Sequence, residues 1–140
     1  MKLPLYQIDA FAEKPFEGNP AAVCPLEHWL PDSTMQAIAE ENNLAETAFF
    51  VKNKNSYELR WFTPMKEVDL CGHATLASAF VLFQTTEAER EQINFLSRSG
   101  ELSVTRQDEL LTLNFPSQPA TQCDITDKWA KALGLSLIHI

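Results

Sequence analysis

The chain has 140 residues, of which 45% are hydrophobic and 21% charged, and its formal net charge at pH 7 is −8. This is the composition of a globular protein with a hydrophobic core, and it excludes disordered and collagen-like chains. Lys and Arg are few and unclustered, so the charge argues against nucleic acid and against an anionic membrane surface as partners. Apolar runs are also too short to span a bilayer.

The N-terminus and the cysteines indicate a cytoplasmic location. Gln7 and Asp9 interrupt the stretch where a signal peptide needs unbroken apolar residues. Cys24, Cys71 and Cys123 are odd in number and widely spaced, so we expect reduced thiols. Two of them, Cys24 and Cys123, are expected to be small buried hydrophobic residues.

The first elements are two strands and a helix. Alternation of apolar side chains predicts a strand over Leu3–Phe11, and the apolar run Ala21–Cys24 predicts a short buried strand. A helix should follow, with Asp32 or Ser33 as its N-cap. It should end near Asn43, because Asn tolerates the left-handed backbone conformation.

A hairpin and a buried helix come next. The apolar runs Thr47–Val51 and Tyr57–Thr63 flank a polar turn, which predicts paired strands. From Gly72 to Phe83 the chain contains no Asp, Glu, Lys or Arg. A helix that is apolar on every side must be surrounded by protein, so we expect a central helix wrapped by strands.

The remaining elements set the fold class. Three further strands form a meander, and a short helix follows, at residues 93–97, 101–105, 110–115 and 124–133. Many short strands with few helices and no regular βαβ alternation predict an α+β fold. We expect a curved, barrel-like sheet, mixed or antiparallel, around the central apolar helix.

The last six residues, 135–140, read Leu-Ser-Leu-Ile-His-Ile. This peptide is the in-frame translation of a widely used transposase sequencing adaptor, and we interpret it as an artefact. The natural protein is then expected to continue beyond Gly134.

The strongest candidate for chemistry is the start of the uncharged helix. Gly72 lets the backbone come close to a ligand, and the first amides of a helix, here from Gly72 to Thr75, can hold a carboxylate. Cys71 and His73 carry groups that move protons near neutral pH.

Two further candidates lie upstream. Glu46 precedes a strand and could act as a general acid or base, although a solvated glutamate at a helix end is the competing interpretation. Asn19 could hold a polar ligand or could be an ordinary turn residue. His28 is expected to be a surface or packing residue, and no metal-ligand spacing, phosphate-binding loop or serine nucleophile motif occurs.

Five segments together resemble the N-terminal half of the PhzF family, the phenazine biosynthesis-like isomerases. They are Gln7–Phe11, Phe16–Val23, Asn43–Phe49, Leu59–Pro64 and Asp69–Ala77. The resemblance implies a fold similar to that of diaminopimelate epimerase, with two lobes and the active site in the cleft between them. Residues 1–117 would form the N-terminal lobe, and 118–134 the linker and the start of a truncated second lobe.

The resemblance also implies an activity. The enzyme would move a proton between carbons of a small carboxylate-bearing substrate without a metal or an organic cofactor. Glu46 matches the family's catalytic glutamate and His73 its histidine. Gly72 with the amides of Ala74 and Thr75 would bind the substrate carboxylate, and Asn19 would line the cleft.

Two departures keep alternatives open. The family's second lobe supplies an aspartate and a Gly/Ser-rich loop that nothing here matches, so this chain should carry half a site and be inactive alone. Cys71 could itself be the base, as in a cysteine-dependent amino-acid racemase or epimerase. A third hypothesis is a ligand-binding module without catalysis. The complete protein could be a homodimer.

Overall fold

The computed structural model describes residues 2–14, 16–117, 119–123, 127–132 and 134. The predicted adaptor peptide 135–140 lies outside the described residues, as do 124–126 and 133 of the last predicted helix. Eight strands are described: β1 (Tyr6–Ala10), β2 (Asn19–Leu26), β3 (Glu46–Asn53), β4 (Ser56–Phe62), β5 (Glu67–Val68), β6 (Gln92–Ser97), β7 (Gly100–Gln107) and β8 (Leu110–Asn114). The helices are α1 (Asp32–Asn42), α2 (Gly72–Gln84) and α3 (Asp127–Ala132).

All eight strands belong to one sheet. Its order is β1-β2-β3-β4-β6-β7-β8, and β5 pairs with β4 outside this path. β2 and β3 are parallel, as are β4 and β6, whereas the other pairs are antiparallel. The chain crosses over through α1 in the first case and through α2 in the second. The predicted α+β class with a curved mixed sheet around an apolar helix is confirmed.

The sheet has an apolar cluster on each face. Along β3, Ala48 and Phe50 belong to the cluster that contains α2, while Phe49 between them belongs to the other. That second cluster holds Met35 and Ala39 of α1. Alternating side chains of one strand thus serve two helices on opposite faces, as the period of a β-strand requires.

Helix α2 contributes more residues than any other element to the apolar cluster that contains it, but one face of the helix stays uncovered. It packs against β1, β2, β3 and β8. A groove of about 670 Å³ remains between β1 and β8, and its lining includes Ile8, Leu76, Phe80 and Leu110. Phe80 is 42% exposed. The sheet wraps the helix without closing, since β1 and β8 are the two ends of the strand order among the described residues.

Within the described part of the chain, no helix combines the length and the apolar character that a membrane crossing needs.

The ends of α1 test the capping predictions. Pro31 is the N-cap, and no side chain caps the helix there. The predicted capping by Asp32 or Ser33 is wrong: Asp32 lies in the first turn, where its carboxylate pairs with Arg60 at 2.9 Å. The C-terminal prediction is confirmed, since Asn43 has the left-handed conformation with φ 49°.

Of the two cysteines predicted to be buried, one is buried and one is exposed. Cys24 is buried in the cluster beneath α1, as expected, and burial raises the pKa of its thiol to about 11. Cys123 is exposed, so its predicted burial is wrong. It lies on the irregular segment that follows β8, where no cluster of the described residues covers it.

A buried carboxylate closes the end of the core beyond α2. Glu87 is 7% exposed and accepts hydrogen bonds from the Tyr57 hydroxyl and from Lys52 Nζ at 3.0 Å. Arg90 Nε lies 2.8 Å from its second oxygen. These donors stabilise the charged form, and the Tyr57 hydrogen bond is the largest of the effects that lower the Glu87 pKa.

We expect Glu87→Gln to lower the free energy of unfolding by about 1 kcal/mol at pH 7, because the hydrogen bonds to a charged acceptor are lost. The folded-state pKa of Glu87 is lowered, so its stabilisation is present above the unfolded-state pKa. It is lost as the pH falls through the folded-state pKa. Urea unfolding at a series of pH values should show the difference from the parent chain shrinking in acid.

Glu89→Gln is the matched control, since Glu89 is exposed and the substitution removes the same charge. Equal effects of the two substitutions at pH 7 would show that the Glu87 contacts contribute nothing.

Candidate active site

The start of β3 meets the start of α2 on the inner face of the sheet. Glu46 is the first residue of β3 and pairs with Ala21 of β2. Ala21 belongs to the apolar cluster around α2, and residues in register on adjacent strands share a face. The strand therefore turns the Glu46 side chain toward the helix that carries Cys71 and His73 at its N-terminus.

Glu46, Cys71 and His73 form one compact cluster. Glu46 Oε2 lies 3.2 Å from His73 Nε2, and Cys71 Sγ lies 3.4 Å from His73 Nδ1. The side chain of Glu46 is 20% exposed and that of His73 is 10% exposed. Despite their proximity, Glu46 Oε2 and His73 Nε2 lack the geometry of a hydrogen bond, and both are buried without another partner among the described residues.

The Cys71 thiol is neutral in this environment. Burial raises its pKa to about 12, and the negative charge of Glu46 acts in the same direction. The backbone N–H of Ala74 faces the sulfur and partly opposes this shift. At neutral pH the cluster therefore presents a thiol, which is a poor base and a poor nucleophile.

The amides at the start of α2 are not all free. The Thr75 backbone N–H donates to the Cys71 carbonyl at 3.3 Å, and the Thr75 hydroxyl donates to the same oxygen at 2.5 Å. Both donors of Thr75 are thus engaged inside the helix, and its contribution to carboxylate binding stays a prediction. Only the amides of Gly72, His73 and Ala74 precede this first intrahelical bond.

Gly72 was expected to let a ligand approach the backbone closely. In the structure, a side chain of the protein itself, Phe115, makes this close approach. A Cβ at position 72 would lie 3.0 Å from Cε2 of Phe115, just after β8. Phe115 itself is 39% exposed. The ring of Phe115 therefore covers one side of the glycine at the mouth of the helix.

The other predicted residues lie as follows. Asn19 opens β2 and is half-buried, two residues before the partner of Glu46, so it lies at the same end of the sheet. Its role in binding stays a prediction. His28 is exposed, as expected for a surface residue.

Sequence reasoning missed the contacts that hold the loop before Cys71. Arg98 Nη2 lies 2.7 Å from Glu67 Oε2, and Arg98 Nη1 lies 3.8 Å from Asp69 Oδ1. The Ser99 hydroxyl donates to the Asp69 carbonyl at 2.8 Å. About 30 residues separate the partners, so no local pattern could reveal these contacts.

Comparisons with known proteins identify the family of this chain. A family model described as phenazine biosynthesis-like protein, PhzC-PhzF, matches residues 8–138. An uncharacterized isomerase of Pseudomonas aeruginosa is 54% identical over 136 residues, which are 97% of this chain and 52% of that protein. The chain spans about half the length of the curated relatives it matches. The family resemblance expected from the sequence is confirmed.

Solved structures show the same likeness. A PhzF family protein of Enterococcus faecalis matches with a TM-score of 0.86 and 54% identity, covering 96% of this chain and 52% of that one. A predicted epimerase of Pseudomonas aeruginosa matches with a TM-score of 0.68 and 26% identity, covering 79% of this chain and 41% of that one.

The contact between Gly72 and Phe115 predicts that the effect of Gly72→Ala on the free energy of unfolding depends on the Phe115 ring. Gly72→Ala should destabilise the chain by about 1–3 kcal/mol, because the added methyl overpacks against the ring. In a Phe115→Ala background the same substitution should be neutral or stabilising, since Ala is the better helix former. Urea unfolding of the two single variants and the double variant measures this coupling. Equal effects of Gly72→Ala in both backgrounds would contradict it.

The neutral Cys71 thiol predicts selective alkylation. In the native chain at pH 8, iodoacetamide should modify the exposed Cys123 and leave Cys71 and Cys24 almost untouched. A thiol whose pKa is raised becomes a thiolate only as the pH approaches that value. Peptide mass spectrometry, with the urea-unfolded chain as control, measures the three rates. Rapid modification of Cys71 in the folded chain would contradict the protonated state.

Proposed function

The chain belongs to the phenazine biosynthesis-like PhzC-PhzF family, and we propose that the full-length protein is an isomerase that moves a proton between carbons of a small carboxylate-bearing substrate. Several relatives are named uncharacterized isomerases, which supports this class of activity. The observation that carries the proposal is the contact of Glu46 with His73 at the N-terminus of α2.

Glu46 is the proposed general acid and base. Its side chain is 20% exposed, so a substrate atom can reach it, and its Oε2 has no hydrogen-bond partner among the described residues. A base must come within hydrogen-bond reach of the proton that it removes. His73 Nε2 lies 3.2 Å from the carboxylate, so its imidazole is proposed to assist Glu46 once a bound substrate aligns the two groups.

The start of α2 is the proposed carboxylate site. The amides of Gly72 and His73 precede the first intrahelical bond and carry the partial positive charge of a helix N-terminus. A substrate carboxylate bound there would lie next to Glu46, and the same amides would stabilise negative charge that develops as the proton leaves. Asn19, at the same end of the sheet, is proposed to line this site.

Between the two candidate bases, the structure favours Glu46 over Cys71. A racemase of the cysteine type needs a thiolate, but burial and the neighbouring carboxylate raise the Cys71 pKa to about 12. Cys71 also lacks the exposure of Glu46, since it is 7% exposed. We therefore assign Cys71 to the wall of the site.

The site in this chain is proposed to be half of the active site. The chain spans about half the length of its curated relatives, and the remaining half would close over Glu46 and His73 and supply the facing acid. The chain alone is therefore proposed to be inactive. The cytoplasmic location and the homodimer stay predictions.

The test uses a full-length protein that carries this half. Glu46→Gln should lower the rate of deuterium exchange from solvent into a carboxylate-bearing substrate by about 10²–10⁴-fold, the usual contribution of a general acid or base. Cys71→Ala should keep most of the activity. Mass spectrometry of the recovered substrate measures the exchange. Glu41→Gln, an exposed position on α1, is the charge-matched control.

The two enzyme hypotheses give opposite patterns in this experiment. Full activity of Glu46→Gln together with loss of activity in Cys71→Ala would reject Glu46 as the base and favour the thiol. Absence of exchange in the parent protein with every carboxylate substrate tried would favour a binding module.

A further inference from the structure

The cluster at the N-terminus of α2 contains three different kinds of metal-binding side chain. One ligand atom from each of Glu46, Cys71 and His73 lies within 4.8 Å of the other two. The sequence shows no metal-ligand spacing, because Glu46 comes from β3 and only the fold brings it to the pair on α2. From this arrangement we infer that Glu46, Cys71 and His73 form a binding site for Zn²⁺.

The three side chains lie near the spacing that a tetrahedral ion requires. Zn²⁺ bonds of about 2.0–2.3 Å place neighbouring ligand atoms about 3.3–3.6 Å apart. Cys71 Sγ lies 3.4 Å from one nitrogen of His73, and Glu46 Oε2 lies 3.2 Å from the other. These two contacts use different nitrogens of the imidazole, and a single ligand atom from each of the three residues lies within 4.8 Å of the other two. Side-chain rotations that draw these atoms together would complete the spacing around an ion.

Two buried atoms of the cluster lack the partners that buried polar atoms usually have. His73 Nε2 and Glu46 Oε2 have no hydrogen bond among the described residues, and the His73 side chain is nine-tenths buried. Such atoms cost free energy unless a ligand satisfies them. A cation between them would remove both deficits at once.

The charges and the ligand types select the ion. A carboxylate, a thiolate and a neutral imidazole carry two negative charges, which balance a divalent cation, and the thiol proton leaves to solvent as the S–Zn bond forms. A thiolate with an imidazole favours Zn²⁺ over Mg²⁺ or Ca²⁺, which prefer oxygen ligands. The partial positive charge of the α2 N-terminus, about half a unit, is small beside these two charges.

Three protein ligands leave a fourth position for water or for a ligand carboxylate, as in zinc sites that are open to solvent. The consequence for turnover rests on the proposed function: Zn²⁺ would occupy the lone pairs of Glu46 and His73 and so block proton transfer. The site is thus inhibitory.

Binding is tested on the whole chain with Zn²⁺ and with Co²⁺ as a spectroscopic probe. All measurements use a Cys123→Ala background, because Cys123 is exposed and could bind metal by itself. Competition with a chromophoric chelator should show one tight Zn²⁺ per chain. Co²⁺ should give a thiolate-to-cobalt charge-transfer band and the intense visible bands of a tetrahedral ion.

The ligand variants are Cys71→Ser, His73→Ala and Glu46→Gln, and His28→Ala is the control at an exposed histidine. Each ligand variant should weaken Zn²⁺ binding at least about 100-fold, since even outer-shell partners are worth about 10–100-fold. His28→Ala should bind as the background does. Circular dichroism checks that each variant is folded, and Cys71→Ser keeps the volume of the side chain.

A Co²⁺ spectrum without the charge-transfer band, or Zn²⁺ affinity unchanged in folded Cys71→Ser, would overturn the zinc site. This failure is separate from that of the proposed function. Zinc binding as described, with full exchange activity in Glu46→Gln, would retain the metal site and reject the proposed base. Absence of zinc binding, with exchange lost in Glu46→Gln, would reject the metal site and retain Glu46 as the base.

Discussion

The burial of α2 is the constraint on which the rest of the structure depends. Its thirteen residues include no Asp, Glu, Lys or Arg, and eight of them are buried. The hydroxyls inside it bond to the helix's own carbonyls: Thr75 donates to Cys71 and Ser78 donates to Ala74. His73, in the first turn, is the one titratable side chain in this helix. Charge and proton chemistry are therefore confined to the N-terminal end, where Glu46 of β3 arrives from another part of the chain.

Local features of the fold were predictable from the sequence. The meander of β6, β7 and β8, the apolar character of α2 and the left-handed stop at Asn43 each depend on residues close together in the chain. The open groove beside Phe80 was not predictable, because the closure of a sheet depends on strands far apart in sequence. Hydrophobic periodicity likewise cannot say that β2 extends to Leu26 and pairs in parallel with β3.

The candidate site shows the same division. Cys71, Gly72 and His73 form a continuous segment, so their shared position followed from the prediction of a helix start. For Glu46 the residues alone left a solvated helix end as the competing interpretation, and the family resemblance favoured the catalytic role. Only the parallel pairing with Ala21 turns its side chain inward, and a single sequence does not show strand register. The ring of Phe115 over Gly72 was equally unpredictable, since the two residues lie far apart in the sequence.

The choice of cysteine at the N-cap of α2 has a physical consequence for the neighbouring amides. Cys71 has the extended backbone of an N-cap residue, with φ −146° and ψ 116°, but its side chain makes no capping hydrogen bond by geometry. A Ser or Asp there would accept from these amides and would stabilise the helix by about 1 kcal/mol. Sulfur is a weak acceptor, so the N–H of Ala74 faces it without being fully satisfied. The helix thus forgoes a strong cap, and its first amides keep their capacity to bind an anionic group beside Glu46.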